Sequence, residues 1–163
     1  VAARDLRPAR EDDVDAMIEL ARRSWLSAFG QTAPSALIDA WVRTDRTTEH
    51  YRRYWKDMLL LGDGTTIVGL VQPLEAEING LWVHPDHQGQ GAGTRLLQAG
   101  EDVIRRAGHE MAWLHCSAYN PRALEFYLRR GYVETSRERS RHPAGIEIVN
   151  VRMERRIAPV NTP

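Results

Sequence analysis

Glu77-Ile-Asn-Gly-Leu-Trp-Val-His-Pro-Asp-His-Gln-Gly-Gln-Gly-Ala-Gly-Thr94 is the stretch on which the fold of this chain is decided. Ala76 to Val83 reads as a strand whose alternation places Glu77, Asn79, Leu81 and Val83 on one face. The glycine-rich segment after it opens an amphipathic helix, with Leu96, Gly100, Val103, Ile104 and Ala107 along one side. Backbone N–H groups at a helix N-terminus lack internal partners and carry the positive end of the dipole. Small residues let an anion approach those groups closely. A pyrophosphate-bearing ligand is therefore the physical expectation at Gln88 to Thr94, against the plainer reading of a turn that holds nothing. A dinucleotide fingerprint requires glycine at position 94, where threonine stands, and the loop falls in mid-chain.

Working outward toward the N-terminus, Asp5 to Arg7 reads as a short strand. Val14, Met17, Ile18, Ala21, Trp25 and Phe29 recur at helical spacing, and Gly30 ends that helix. Pro34 starts a second helix with Leu37, Ile38, Trp41 and Val42 facing inward. Thr47 to Lys56 fits a short helix or a loop. Met58 to Leu61 reads as a strand, Gly62-Asp63-Gly64 as a hairpin turn, and Thr65 to Val71 as a strand stopped by Pro73.

Toward the C-terminus, Gly108 closes the long helix and Met111 to Ser117 is a strand. Asn120-Pro121 is a helix start, with Asn as N-cap and Pro in the first turn; the helix reaches Arg130 and Gly131 stops it. Tyr132 to Arg139 and Ile146 to Met153 are closing strands. Hairpins at both ends and alternating elements between them predict an α/β domain built on a mixed, mostly antiparallel sheet. One domain is expected over residues 1–157, with 158–163 as a frayed tail.

Composition narrows the function. The 163 residues balance 22 basic against 22 acidic side chains, so the chain lacks the positive field of a nucleic-acid binder. Met58 to Leu61 is the longest aliphatic run, far short of a bilayer span, and no basic-then-apolar leader opens the chain. Cys116 is the only cysteine, which removes an intramolecular disulfide and a thiolate zinc cluster, and a reducing cytoplasm is the expected location. Lys56 is the only lysine, and no Gly-Lys-Ser/Thr exists for a Walker A loop. His84 and His87 lie three apart with no third ligand near in sequence, so no metal site is expected.

The strand Glu77 to His84-Pro85, the loop with Gln88, Gly91 and Gly93 at fixed positions, and Asn120-Pro-Arg-Ala-Leu-Glu-Phe-Tyr127 before Gly131-Tyr132 together resemble the GNAT family of acetyl-CoA-dependent N-acetyltransferases. The motifs cover roughly residues 76–133. The resemblance implies a V-shaped splay between the strands at Ala76–Val83 and Met111–Ser117. It implies acetyl-CoA against Leu81, Trp82 and Val83, with the backbone of Leu81 and Val83 bonding the pantetheine arm. The pyrophosphate would lie on the N–H groups of Gln88, Gly89, Gln90, Gly91, Ala92, Gly93 and Thr94, and Asn120 and Tyr127 would also contact the cofactor. Arg122, Arg129 and Arg130 flank that helix.

Acyl transfer to an amine needs a neutral nucleophile, although a lysine-type amine has a pKa of about 10.4. It also needs fixed donors for the oxyanion and a proton for the thiolate. The resemblance implies Tyr127 as that acid and Glu77 as the base, with Glu75 and His115 as substitutes. Trp25, Phe29 and Glu77 are the candidates to meet the acceptor, a small-molecule or peptide amine. A homodimer is a further implication of the family. A non-catalytic acyl-CoA-binding module of the same fold is the alternative, and a nucleotide-binding protein a more distant one.

Overall fold

Apolar runs dictate where this chain must be covered on both sides, and a run such as Leu59-Leu60-Leu61 leaves no face for water. In the computed structural model, which describes residues 4–63 and 65–158, those runs form interior strands of a seven-stranded sheet. The strands are β1 (Asp5–Pro8), β2 (Leu59–Gly62), β3 (Ile67–Leu74), β4 (Glu77–Val83), β5 (Met111–Ser117), β6 (Val133–Arg141) and β7 (Glu147–Arg156). The helices are α1 (Val14–Phe29), α2 (Ser35–Thr44), α3 (Arg46–Tyr54), α4 (Ala92–Arg106) and α5 (Pro121–Leu128). Spatial order is β1-β2-β3-β4-β5-β7-β6, and every pairing is antiparallel except β4 with β5. The mixed α/β architecture matches the expectation.

Successive residues of the central strands feed two cores. Leu61, Val71, Leu114 and Met153 pack with Leu96, Leu97 and Ile104 of α4. Leu60 and Leu70 turn the other way, onto Met17, Ile18 and Leu20 of α1 and Tyr51 of α3. At α4, Gly100 lets the helix close on the sheet: an added Cβ would stand 2.7 Å from Ile78 Cδ1.

Several local expectations change. Residues 46–54 are helical, which resolves the ambiguous segment in favour of α3. Val42 is 61% exposed, and Ala40 is the buried residue of α2. On α4 the buried stripe runs through Leu96, Leu97, Gly100, Glu101 and Ile104, while Val103 and Ala107 face out. Helix α5 ends at Leu128, earlier than Arg130. Strand β3 continues through Pro73 to Leu74.

Pro73 sits at a bulge. Gln72 pairs with Gly80 but Pro73 pairs with Ile78, so Asn79 is an extra residue in β4. A proline lacks the N–H that a regular ladder position would use, and an irregularity accommodates it. The bulge inverts the alternation. Ile78 shares the α4-side core with Leu81 and Val83, whereas the Asn79 side chain bonds Gln72 on the other face. Glu77 lies with His115 and Arg152, so Glu77 and Asn79 do not share a face with Leu81 and Val83. Gly64 of the proposed hairpin turn and residues 159–163 of the proposed tail lie outside the described residues. Among the described residues no helix is long and apolar enough to cross a membrane.

Candidate functional site

Strands β4 and β5 pair only at Glu77 and Trp113, where the Trp113 N–H donates to Ala76 O at 3.0 Å. Beyond that point β5 leaves, and one edge of β4 loses its partner. The His84 N–H donates to Val68 O at 2.8 Å, toward β3. By alternation, the N–H and C=O of Val83 and Leu81 point to the opposite, open edge. There Val83 O accepts from Ser24 Oγ and Gln88 Nε2, both at 3.1 Å.

The opening is a cleft of about 330 Å³ that brings most of the predicted residues together. Leu81, Trp82 and Val83 form one wall, Gln88, Gly89, Gly91, Gly93 and Thr94 one end, and Asn120 and Tyr127 the other wall. Gln90 and Ala92 do not line it: the Gln90 side chain accepts from Arg4 at 2.6 Å, and the Ala92 side chain is buried. Ser24, Ser27 and Ala28 of α1 line the cleft and carry no motif. Their only signal is small size on one turn of a helix whose other face is apolar.

The loop has the backbone its glycines permit. Gly89 and Gly91 have φ of +72° and +83°, a region costly for other residues, and a Cβ on either would meet nothing within 4 Å. Gly91 caps α4, whose first internal bond runs from the Arg95 N–H to Gly91 O. The N–H groups of Ala92, Gly93 and Thr94 thus precede the helical ladder. Two arginines stand beside them. Arg122 donates to Gln88 Oε1 at 2.9 Å, and Arg130 donates to Thr94 Oγ1 at 3.1 Å while its guanidinium lies 3.6 Å from the Phe126 ring centroid. Arg129 is instead paired with Glu125 on the exposed side.

Asn120 caps α5 as its sequence requires, its Oδ1 accepting the Ala123 N–H at 3.2 Å. One turn and more beyond, Tyr127 enters the cleft from a mostly buried position against Cys116, Phe126 and Tyr132. Burial, then the neighbouring Cys116, raises its pKa above the ordinary tyrosine value. Burial likewise pushes the Cys116 thiol up to about 12, so Cys116 is a buried neutral group.

Glu77 stands at the apex where the strands part, on the face opposite Tyr127, and lines neither this cleft nor the second cavity described next. It is half-buried. Burial raises its pKa, and His115 and Arg152 oppose the shift. Among the described residues no group of three His, Cys, Asp or Glu is arranged to hold a metal, and His84 Nδ1 accepts from the Asp86 N–H.

Across Trp82, a second cavity of about 260 Å³ opens on the α1 face. Trp25 lines it together with Trp41, the two rings stacked at 4.0 Å. Phe29 does not: it is buried and tilts onto Trp25 at 4.8 Å. The floor is polar. His50 Nε2 and Asn79 Nδ2 donate to Gln72 Oε1 at 2.9 Å and 3.0 Å, and Gln72 is 2% exposed. His50 and Gln72 are far apart in sequence, and nothing in either segment marks them.

Residues 14–132 match the family model described as Acetyltransferase (GNAT) family. A spermidine N(1)-acetyltransferase of Thermoplasma acidophilum is 23% identical over 140 residues, covering 78% of this chain and 87% of that protein. Other curated relatives match over shorter stretches, and the chain spans 19% to 47% of their lengths. A GCN5-related N-acetyltransferase from Rhodopseudomonas palustris superposes with a TM-score of 0.81 at 23% identity, over 96% of this chain and 98% of that one. The PaiA N-acetyltransferase of Thermoplasma acidophilum, solved with coenzyme A, gives 0.76 at 19% identity, over 95% and 99%. These two likenesses establish a shared fold.

Proposed function

The chain belongs to the GNAT acetyltransferase family, and from that premise we propose that it transfers an acetyl group from acetyl-CoA to a primary amine of a small molecule or peptide, by direct attack in a ternary complex. One observation carries the reading. The single pairing of Glu77 with Trp113 leaves an open strand edge at Leu81 and Val83, and that edge leads to the free N-terminus of α4. An extended amide-bearing arm ending in a pyrophosphate is complementary to both parts at once.

The residues present fit such a group. The backbone of Leu81 and the N–H of Val83, whose C=O is already held by Ser24 and Gln88, would receive the amide arm as a strand does. The N–H groups at Ala92 to Thr94 would hold the pyrophosphate, with Gly89 and Gly91 leaving room for it and Arg122 and Arg130 assisting from the side. Asn120 would meet the arm from the far wall. Acetyl-CoA supplies the activated acyl carbon.

The chain supplies position and protons. Tyr127 Oη is protonated at neutral pH, as a tyrosine ordinarily is, and burial favours that neutral form further, so it holds a proton to give to a departing sulfur. Glu77, at the apex of the open strands and outside the lining of both cavities, would take a proton from the amine through a water. Its raised pKa makes it a stronger base than an exposed glutamate. The cavity across Trp82 is where the acceptor would bind, and Trp25 is in its wall. One acetyltransferase domain over residues 1–157 accounts for all of these parts.

The test is calorimetric titration with acetyl-CoA, followed by thiol release across a panel of primary amines. Binding with amine-dependent release is expected. Absence of both heat and release with every amine would overturn the proposal.

A further inference from the structure

We infer that the cavity beyond Trp82 takes a compact amine with an apolar, aromatic-compatible body and a carboxylate, and that it disfavours polyamines. This rests on the acetyl-transfer reading and narrows its acceptor.

Size argues first. At about 260 Å³ the cavity falls just under the roughly 300 Å³ at which pockets for drug-sized ligands begin. That volume holds one amino-acid-sized body. Its walls argue second. Trp25, Trp41, Tyr51 and Trp82 present flat apolar surface, and the stacked Trp25–Trp41 pair makes a rigid side. Offset or edge contacts with a bound ring follow from such walls.

Charge argues third. Among the described residues no carboxylate lines the cavity. The ionised side chain that does is Arg46, at the start of α3, exposed and without an ion-pair or hydrogen-bond partner among the described residues. The adjacent Asp45 is bonded to Arg22 and Thr48 and does not neutralise it. Aromatic rings by themselves attract an ammonium. A polyamine would nevertheless bring two or more positive charges toward a guanidinium, with no acid to receive them. A carboxylate on the acceptor would instead gain a charge-assisted, potentially bidentate partner. The buried Gln72 amide, held by His50 and Asn79, adds a neutral polar floor that imposes no positive-charge preference.

The experiment compares L-phenylalanine, phenethylamine and spermidine as acceptors, by thiol release with acetyl-CoA and by calorimetric binding to the CoA-saturated protein. Phenylalanine should lead and spermidine trail. Arg46→Ala should raise the phenylalanine KM roughly tenfold and leave phenethylamine nearly unchanged. Turnover that favours spermidine, or an Arg46→Ala variant with the phenylalanine-to-phenethylamine ratio intact, overturns the cavity assignment while acetyl transfer stands. Arg46-dependent phenylalanine binding with no release from phenylalanine but release from other primary amines supports the charge assignment and overturns the cavity as the acceptor's site, and release from no amine at all overturns acetyl transfer. Absence of both binding and turnover with all three compounds overturns the cavity assignment.

Discussion

Glu77 of β4 is paired with Trp113 of β5, and these are the only residues through which the two parallel strands are in register. A regular parallel ladder would have consumed the edge groups of Leu81 and Val83. Separation after one pair leaves them without a strand partner, and it places Glu77 at the apex where the strands part, outside the cleft itself. The cleft and the aromatic cavity then meet at Trp82, which lines both.

Tyr127→Phe removes the hydroxyl while keeping the ring that packs on Phe126 and Tyr132. Loss of a positioned general acid should lower kcat by roughly 100-fold. The affinity for acetyl-CoA and the melting temperature should change little. Steady-state kinetics beside a thermal melt check this, and unchanged kcat would assign Tyr127 a packing role.

Glu77 has its pKa raised by partial burial. A base works when deprotonated, so activity should climb as pH rises through its folded pKa. That limb should lie above the ordinary glutamate value of about 4.3. The same sign makes its contribution to stability greatest at low pH, lost as pH rises through the folded value. A kcat/KM profile should show the limb in the wild type and lack it in Glu77→Gln. A limb that survives the substitution would point to another base.

Gly91→Ala places a Cβ on a residue at φ +83°. That conformation costs a non-glycine residue about 1–2 kcal/mol. Reshaping the entry to α4 should also weaken coenzyme A binding about tenfold, read by calorimetry. Unaltered affinity would show that the loop backbone does not hold the pyrophosphate.

Glu101 is an acid on the buried face of α4, its side chain 4% exposed, bonded by Arg155 at 3.0 Å and by the Tyr132 hydroxyl at 2.9 Å. Arg155→Met leaves a buried carboxylate short of its counter-charge. With Arg155 itself partly exposed, the loss should be about 2–3 kcal/mol, below that of a fully buried pair. Urea unfolding measures it. Adding Glu101→Leu should restore part of the stability, since the orphaned charge is then gone, and no recovery would mean that packing dominates at this site.

Much of the cleft was legible because its signals are local. A glycine-rich turn before a helical stripe and an Asn-Pro helix start act over a few residues, and Gly91 and Asn120 cap their helices where those signals place them; Tyr127, which lines the cleft, was indicated only by the family resemblance. The face of Glu77 was not legible. It depends on a bulge at Asn79, which arises only when β4 lies against Pro73 of β3. Period-two alternation carries no record of an extra residue in a ladder.

By itself, then, the sequence determined the mixed α/β order of elements, the loop that caps α4 and the residues that cap α5, since propensity, capping and backbone freedom are properties of neighbours in the chain. Only the tertiary structure decided which aromatic residues surround the second cavity, that Trp25 lines it while Phe29 is buried, that Arg46 stands there without a partner among the described residues, and that Gln72 joins His50 to Asn79 beneath it. Those residues come from α1, α2, α3, β3 and β4. Their contacts form through burial of one apolar face against another, a non-local process that local patterning cannot encode residue by residue.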